Sequence, residues 1–195
     1  MHPELLLLIG ISFSMGFTPG PNNAVASYSA FNFGLRKTLP IILGVGLGYT
    51  VLVLLLILVL ISVFQKYPYL QEIIRILGSI FLIYLAYKIS FSKSKSQSKT
   101  ENPVKFYETF FFQFINPKGV MAAITLISKF VSQENYISSS ITVIVVCSVT
   151  AFLSITSWAL LGKFLRKFAT NNEFIKRFNY AMSILLVGCV ASFYI

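Results

Sequence analysis

Two short segments hold the residue types that could do chemistry in an otherwise apolar chain: Thr18-Pro19-Gly20-Pro21-Asn22-Asn23 and Asn116-Pro117-Lys118-Gly119. Proline and glycine interrupt helices, asparagine is a strong N-cap type, and proline suits the first helical position. Each segment therefore predicts that one helix ends and another begins there. In the second, a half-helix starting at Asn116-Pro117 would run through Val131 with Lys118 at its positive end. A cation at the positive end of a macrodipole makes sense if an anion, such as a carboxylate, visits it. With equal weight, Lys118 could snorkel to an interface or neutralise Glu108. Gly20 and Pro21 open another half-helix by the same logic, with Asn22 and Asn23 adding amide donors and acceptors. Two such ends facing each other would form a polar pocket. Tyr49, Gln113 and Trp158 are further polar-tipped candidates to line it.

The rest of the chemical inventory is thin. The six acidic residues are all Glu, and the one histidine is His2. A paired-aspartate protease and a His-Glu-x-x-His zinc protease are both excluded. Cys147 and Cys189 sit in separate apolar runs without CxxC spacing and read as small buried thiols. We expect no catalytic constellation, metal site or cofactor.

The elements that must position these residues are membrane helices. Of 195 residues, 56% are hydrophobic and 11% charged, less than half the charge of an ordinary soluble domain, about 25%. Uncharged runs such as Leu39 to Phe64 exceed the roughly 20 residues needed to cross a bilayer core. They are also far longer than the alternating strands of a membrane barrel. The predicted runs are Leu5 to Phe17, interrupted at Thr18 to Asn23 and resuming at Ala24, then Leu39 to Phe64 and Leu70 to Phe91. After them come Phe106 to Val131, interrupted at Asn116 to Gly119, then Ile137 to Leu161, and Tyr180 to Ile195. Lys163 to Phe178, mixing aromatic residues with Lys and Arg, reads as a helix lying along the membrane surface. The start, Met1-His2-Pro3-Glu4, lacks the positive n-region of a secretory signal and is expected to be retained.

The expected fold is thus all-α and integral to the membrane, with six transmembrane helices. Pro19 and Pro117 lie 98 positions apart, about half the chain, and each half opens with a broken span followed by two unbroken ones. That is the pattern of two inverted three-helix repeats, residues 1–91 and 106–195, joined by a Lys/Ser-rich linker, 92–105. Two unrelated proline kinks would be the plain alternative. Gly44 and Gly48 share one helix face and are expected to allow close helix packing.

The net charge is +10, and the loops after spans one, three and five hold twelve of the sixteen Lys and Arg residues. By the positive-inside rule that side is cytoplasmic, anionic lipid is its partner, and both termini are external. Nucleic-acid binding is not needed to explain the charge.

Thr18-Pro19-Gly20-Pro21-Asn22-Asn23, then Phe33-Gly34-Leu35-Arg36-Lys37-Thr38 and Gly44-Val45-Gly46-Leu47-Gly48, together with Tyr84-Leu85-Ala86-Tyr87-Lys88 and Gln113-Phe114-Ile115-Asn116-Pro117-Lys118, resemble the motifs of the LysE/RhtB superfamily of amino-acid exporters. Within it, the sequence is similar to the cysteine and O-acetylserine exporter type. The resemblance implies efflux of a small amino acid across the bacterial cytoplasmic membrane, driven by the proton gradient, and leaves a homodimer open. Members exporting basic amino acids look to have an acidic residue where this chain has Tyr49, which points to a neutral substrate. The substrate-binding residues expected are Pro19, Gly20, Pro21, Asn22, Asn23, Tyr49, Gln113, Asn116, Pro117 and Lys118. The rival function is a non-transporting membrane scaffold, with the breaks as mere kinks. A cysteine replacing Gln97 should resist an impermeant thiol reagent applied to intact cells; labelling from outside would reverse the orientation.

Overall fold

The computed structural model describes residues 3–60, 66–67, 69–90, 104–132, 134–169 and 171–194, and within them every regular element is helical. In chain order these are α1 (Pro3–Phe17), α2 (Pro21–Phe33), α3 (Leu35–Leu55) continued by a π-helical turn (Leu56–Leu60), and α4 (Tyr69–Ser90). They are followed by α5 (Phe106–Ile115), α6 (Pro117–Phe130), α7 (Tyr136–Leu165) with a 3₁₀ turn (Arg166–Phe168), and α8 (Asn172–Ala191). Four helical stretches are long and apolar enough to cross a membrane: Leu35–Val59, Glu72–Ser90, Tyr136–Phe168 and Asn172–Ala191. The α5–α6 pair qualifies as a fifth span, bent by 59° at Asn116. The protein is therefore a multi-pass membrane protein. His2, Gln65, Pro68 and most of the 92–105 linker lie outside the described residues.

The first break falls where the sequence places it, but its second limb differs in character from the other spans. α2 reads Pro-Asn-Asn-Ala-Val-Ala-Ser-Tyr-Ser-Ala-Phe-Asn-Phe, too polar for a lipid-facing helix, and eleven of its thirteen residues are buried. It is the central rod of the bundle. Small side chains let its neighbours approach from all sides, and its polar groups pair inside the protein: Ser27 Oγ donates to the carbonyl of Trp158 (2.6 Å) and Asn32 Nδ2 to Asn179 Oδ1 (2.8 Å). Gly34 alone joins α2 to α3. Its φ of 85° lies in the region that favours glycine, so the chain reverses within one residue.

The directions of packed helices follow from their cross-contacts. α3 and α7 run antiparallel, with Thr50 Oγ1 donating to Ser148 Oγ (2.8 Å) and Tyr136 Oη to the carbonyl of Ile57 (2.7 Å). α4 and α8 are also antiparallel: Ser79 and Tyr194 hydroxyls meet at 3.3 Å near one end, and Ser183 donates to the carbonyl of Ala86 (3.0 Å) near the other. α7 runs parallel to the broken α1–α2 limb, from Thr150 beside Gly16 to Gly162 beside Ser27. α3 likewise runs parallel to α5, Gly44 lying against Phe106 and Thr109, and Gly48 against Phe110 and Gln113.

Lys163 to Phe178 does not form the surface helix that its mixed pattern suggests. α7 continues through Leu165, a 3₁₀ turn ends at Phe168, and α8 begins at Asn172, where Asn171 Oδ1 accepts from the N–H of Phe174 (2.8 Å). The aromatic face of this stretch packs inward, Phe31 with Ile175 and Phe178. The last span accordingly starts earlier than Tyr180, and it ends at Ala191.

Any Cβ on Gly48 would press on the Phe110 carbonyl and Gln113, whereas one on Gly188 meets nothing within 4 Å. Gly48→Val should therefore destabilise the detergent-solubilised protein by about 1–3 kcal/mol, the usual cost of overpacking. Gly188→Ala should leave its thermal midpoint unchanged. Equal midpoints for both variants would contradict this packing.

Candidate substrate site

Ending α1 at Phe17 opens the last carbonyls of that helix at the edge of the bundle, and side chains from four segments close them. Thr18 Oγ1 folds back to the carbonyls of Ser14 and Met15 (both 2.8 Å). Asn23 Nδ2 donates to Gly16 and Thr18 (both 3.0 Å), Ser154 Oγ to Gly16 (2.7 Å), and Trp158 Nε1 to Phe17 (3.3 Å). Lys118 Nζ crosses from the other break to the carbonyls of Thr18 (2.9 Å) and Pro19 (3.1 Å). This is the C-terminal end of a helix dipole, where a cation is stabilised. Lys118 thus links the two breaks; Glu108 is engaged elsewhere, accepting from the N–H of Lys105 (2.6 Å).

The helix starts at the same place are treated differently. Neither α2, capped by Gly20, nor α6, capped by Asn116, receives a side-chain cap. Pro21 and Pro117 have no N–H, and the first amides to find partners are Ala24 (to Gly20, 2.9 Å) and Val120 (to Asn116, 3.0 Å). The N–H groups of Asn22, Asn23, Lys118 and Gly119 have no partner among the described residues. All four residues line one cavity of about 90 Å³, with Ser12, Tyr49, Asn116, Cys147, Thr150 and Ser154 as other polar walls. Met15, Val45, Ala122, Leu126, Ala151 and Ile155 supply apolar ones. At roughly 10–15 Å³ per water-sized group, there is space for about six to nine heavy atoms, the size of a small amino acid.

The only formal charge among the cavity's lining residues is positive. Lys118 is its cation, two helix N-termini contribute partial positive charge, and no carboxylate is among its lining residues. An ammonium has three donors, of which Lys118 uses two on carbonyls, leaving one. The side-chain oxygen of Asn116, a residue 2% exposed, has no protein partner. The geometry can hold a carboxylate against amide N–H groups and an ammonium, with neutral polar groups alongside.

Of the residues singled out by sequence, Gly20, Pro21, Asn22, Asn23, Tyr49, Asn116 and Lys118 line the cavity. Pro19 offers its carbonyl to Lys118, and Pro117 opens α6. Gln113 is not a cavity wall. It is fully buried, exchanging two hydrogen bonds with Asn22 (2.9 and 3.1 Å) and donating to the carbonyl of Thr109 (2.7 Å). Gly44 and Gly48 face α5. Sequence reasoning missed Ser12, Thr150, Ser154 and the position of Cys147. A signal was present, since Cys147, Thr150 or Ala151, Ser154 and Trp158 recur at helical spacing along one face of α7.

A multi-pass helical protein with two broken helices meeting at a polar, carboxylate-free cavity has the form of a small-solute transporter. The LysE type translocator model matches residues 13–195, and the chain belongs to that family; it is a translocator and not an enzyme. Cysteine/O-acetylserine efflux proteins of Escherichia coli (strain K12) and Shigella sonnei (strain Ss046) are each 28% identical to it over 173 residues, which is 88% of this chain and 88% of theirs. No solved structure matches the chain significantly.

The reciprocal amide pair is open to a double-mutant cycle. Asn22→Ala strands a buried amide on Gln113, so the double mutant with Gln113→Ala should be less destabilised than the sum of the singles by about 1 kcal/mol. Additivity in thermal unfolding would show that the pair carries no interaction energy.

Proposed function

We propose that this protein exports a small neutral amino acid, cysteine or a close analogue, across the bacterial cytoplasmic membrane in exchange for protons. The observation that carries the reading is the convergence of two uncapped helix starts and Lys118 on one cavity of amino-acid size. The substrate carboxylate sits on the N–H groups at the starts of α2 and α6 and takes the third donor of Lys118. Its ammonium is met by Asn116 and Tyr49. A cationic side chain is disfavoured because no acidic residue lines the cavity, and the efflux relatives are named for neutral substrates.

The six-span reading of two inverted repeats belongs to this proposal. The broken α1–α2 limb lies parallel to α7, and the broken α5–α6 limb lies beside α3 in the same sense. Exchanging the halves turns each pair into the other, while the antiparallel pairs α3–α7 and α4–α8 map onto themselves. The basic residues then gather on the cytoplasmic face, with both termini outside and residues 92–105 as the connector.

Vesicles carrying the purified protein should release radiolabelled cysteine or O-acetylserine faster than protein-free vesicles, and a protonophore should suppress accumulation against a gradient. Losing the hydrogen bond from Lys118 to the carboxylate removes roughly 1.5–3 kcal/mol of binding. Lys118→Ala should therefore cut export about tenfold or more at matched expression. Unchanged apparent affinity would remove Lys118 from the site. Failure of the wild-type protein to move either compound, or arginine moved in preference to both, would overturn the substrate class.

A further inference from the structure

The cavity and the basic end of the bundle are separated by a sealed layer. The cavity walls extend from the breaks toward Ser12 on α1, Leu126 on α6 and Cys147 on α7, all on the side away from the basic residues at the start of α3, the ends of α4 and α7 and the start of α8. Toward that basic end lies a buried, mainly apolar core, including Ala24, Ala26, Ala30, Ile41, Leu85 and Ile89. Two side-chain amide pairs cross this closed half, besides the hydroxyl contacts of Ser27 with Trp158, Thr38 with Ser29 and Ser183 with Ala86. The Asn22–Gln113 amide pair lies directly beneath the cavity. Further down, Asn32 Nδ2 donates to Asn179 Oδ1 at 2.8 Å, and both residues are buried. Around it, Phe31 stacks on Phe178 with ring centroids 3.9 Å apart, and the Arg166 guanidinium lies 5.5 Å from the Phe31 ring.

The element carrying all of these partners is α2, and it has a joint at each end. The Thr18-Pro19-Gly20 break interrupts the helix between it and α1, to whose end only Asn23 of α2 is hydrogen-bonded, and Gly34, at φ 85°, separates it from α3. A rigid thirteen-residue rod with a hinge at each end moves as a unit. Its first turn presents Asn22 and Asn23 to the cavity, and its last turn presents Phe31 and Asn32 to α8. A ligand that pulls on one end is thereby felt at the other. An amide pair also suits a contact that must open: on separation each amide can hydrogen-bond water, which an all-apolar seam cannot do.

We propose that the α2–α8 contact, built on Asn32–Asn179 and Phe31–Phe178, is the gate closing the substrate cavity toward the basic face, and that this structure is the state whose cavity faces the opposite side. The assignment rests on the exporter reading for its direction of transport, while the gate geometry stands on the contacts themselves. Asn32 and Asn179 are positioning residues and touch no substrate.

The test bridges the gate covalently. In a protein with Cys147 and Cys189 changed to Ala, Asn32→Cys and Asn179→Cys are linked by a short bis-methanethiosulfonate and released by a reductant. A further Ala122→Cys variant, blocked only after bridging, reports cavity access. The bridged protein should export radiolabelled O-acetylserine at least tenfold more slowly than the same protein after reduction. Its Ala122→Cys thiol should react with an impermeant maleimide only from the face opposite the basic one. Export at the reduced rate while bridged, or labelling from the basic face, would overturn the gate. If the wild-type protein exports nothing, the exporter reading fails; if only the substituted protein is inactive after reduction, the labelling arm judges the gate. Should the Asn pair fail to fold, Phe31→Cys/Phe178→Cys places the bridge across the same contact, with the same outcomes deciding.

Discussion

An interrupted helix inside hydrocarbon must find a partner for every backbone group it opens, and this fold depends on how that requirement is met at Phe17. Each of the carbonyls from Ser14 to Pro19 accepts at least one hydrogen bond, from Thr18, Asn23, Ser154, Trp158 or Lys118. The donors come from the break itself and from α2, α6 and α7, so satisfying one helix end ties three others to it. The N–H ends of α2 and α6 receive no such treatment. Unpartnered amides cost free energy in a low-dielectric interior, and a cavity lined by four of them is tolerable where water or a solute meets them. The asymmetry between capped carbonyls and uncapped amides is the physical basis of the proposed carboxylate site. Lys118 reinforces it, because the same ammonium that closes α1 adds net positive charge beside both helix starts.

Much of this was legible in the sequence. Pro-Gly-Pro-Asn-Asn and Asn-Pro-Lys announce breaks by residue type alone, and the long apolar runs announce membrane helices. The motifs resembling LysE/RhtB exporters pointed to the family whose translocator model matches residues 13–195. Other features were hidden for physical reasons. Hydropathy measures affinity for lipid, and α2 is buried in protein, so its serines and asparagines disguise a central helix of the bundle. The alternation of aromatic and basic residues between Lys163 and Phe178 has the amphipathicity of a surface helix, but the apolar side faces Phe31 instead of lipid. Lys118 could be assigned a carboxylate, an interface or Glu108 from local sequence. The carbonyls it reaches are 99 and 100 residues away, beyond any local pattern.

The glycines and small residues serve this arrangement. Gly44 and Gly48 bring α3 against α5, and Gly162 brings α7 against the backbone of Ser27. Because hydrocarbon supplies no hydrophobic drive between helices, such close approach and the interhelical hydrogen bonds around α2 account for the cohesion of this part of the bundle. The cavity half has its own apolar cluster, with Leu52, Leu56, Leu126 and Ile127 buried together, and leaves the amides at the helix starts without protein partners.

The most direct measurement of the central claim is the affinity of the purified protein for cysteine and for cysteinamide, which lacks the carboxylate and keeps the ammonium and thiol. If the uncapped helix starts and Lys118 hold a carboxylate, cysteine binds at least about tenfold more tightly, a difference of roughly 1.4 kcal/mol. Equal affinities would contradict the account, because the cavity would then be recognising its ligand through groups other than the two helix starts.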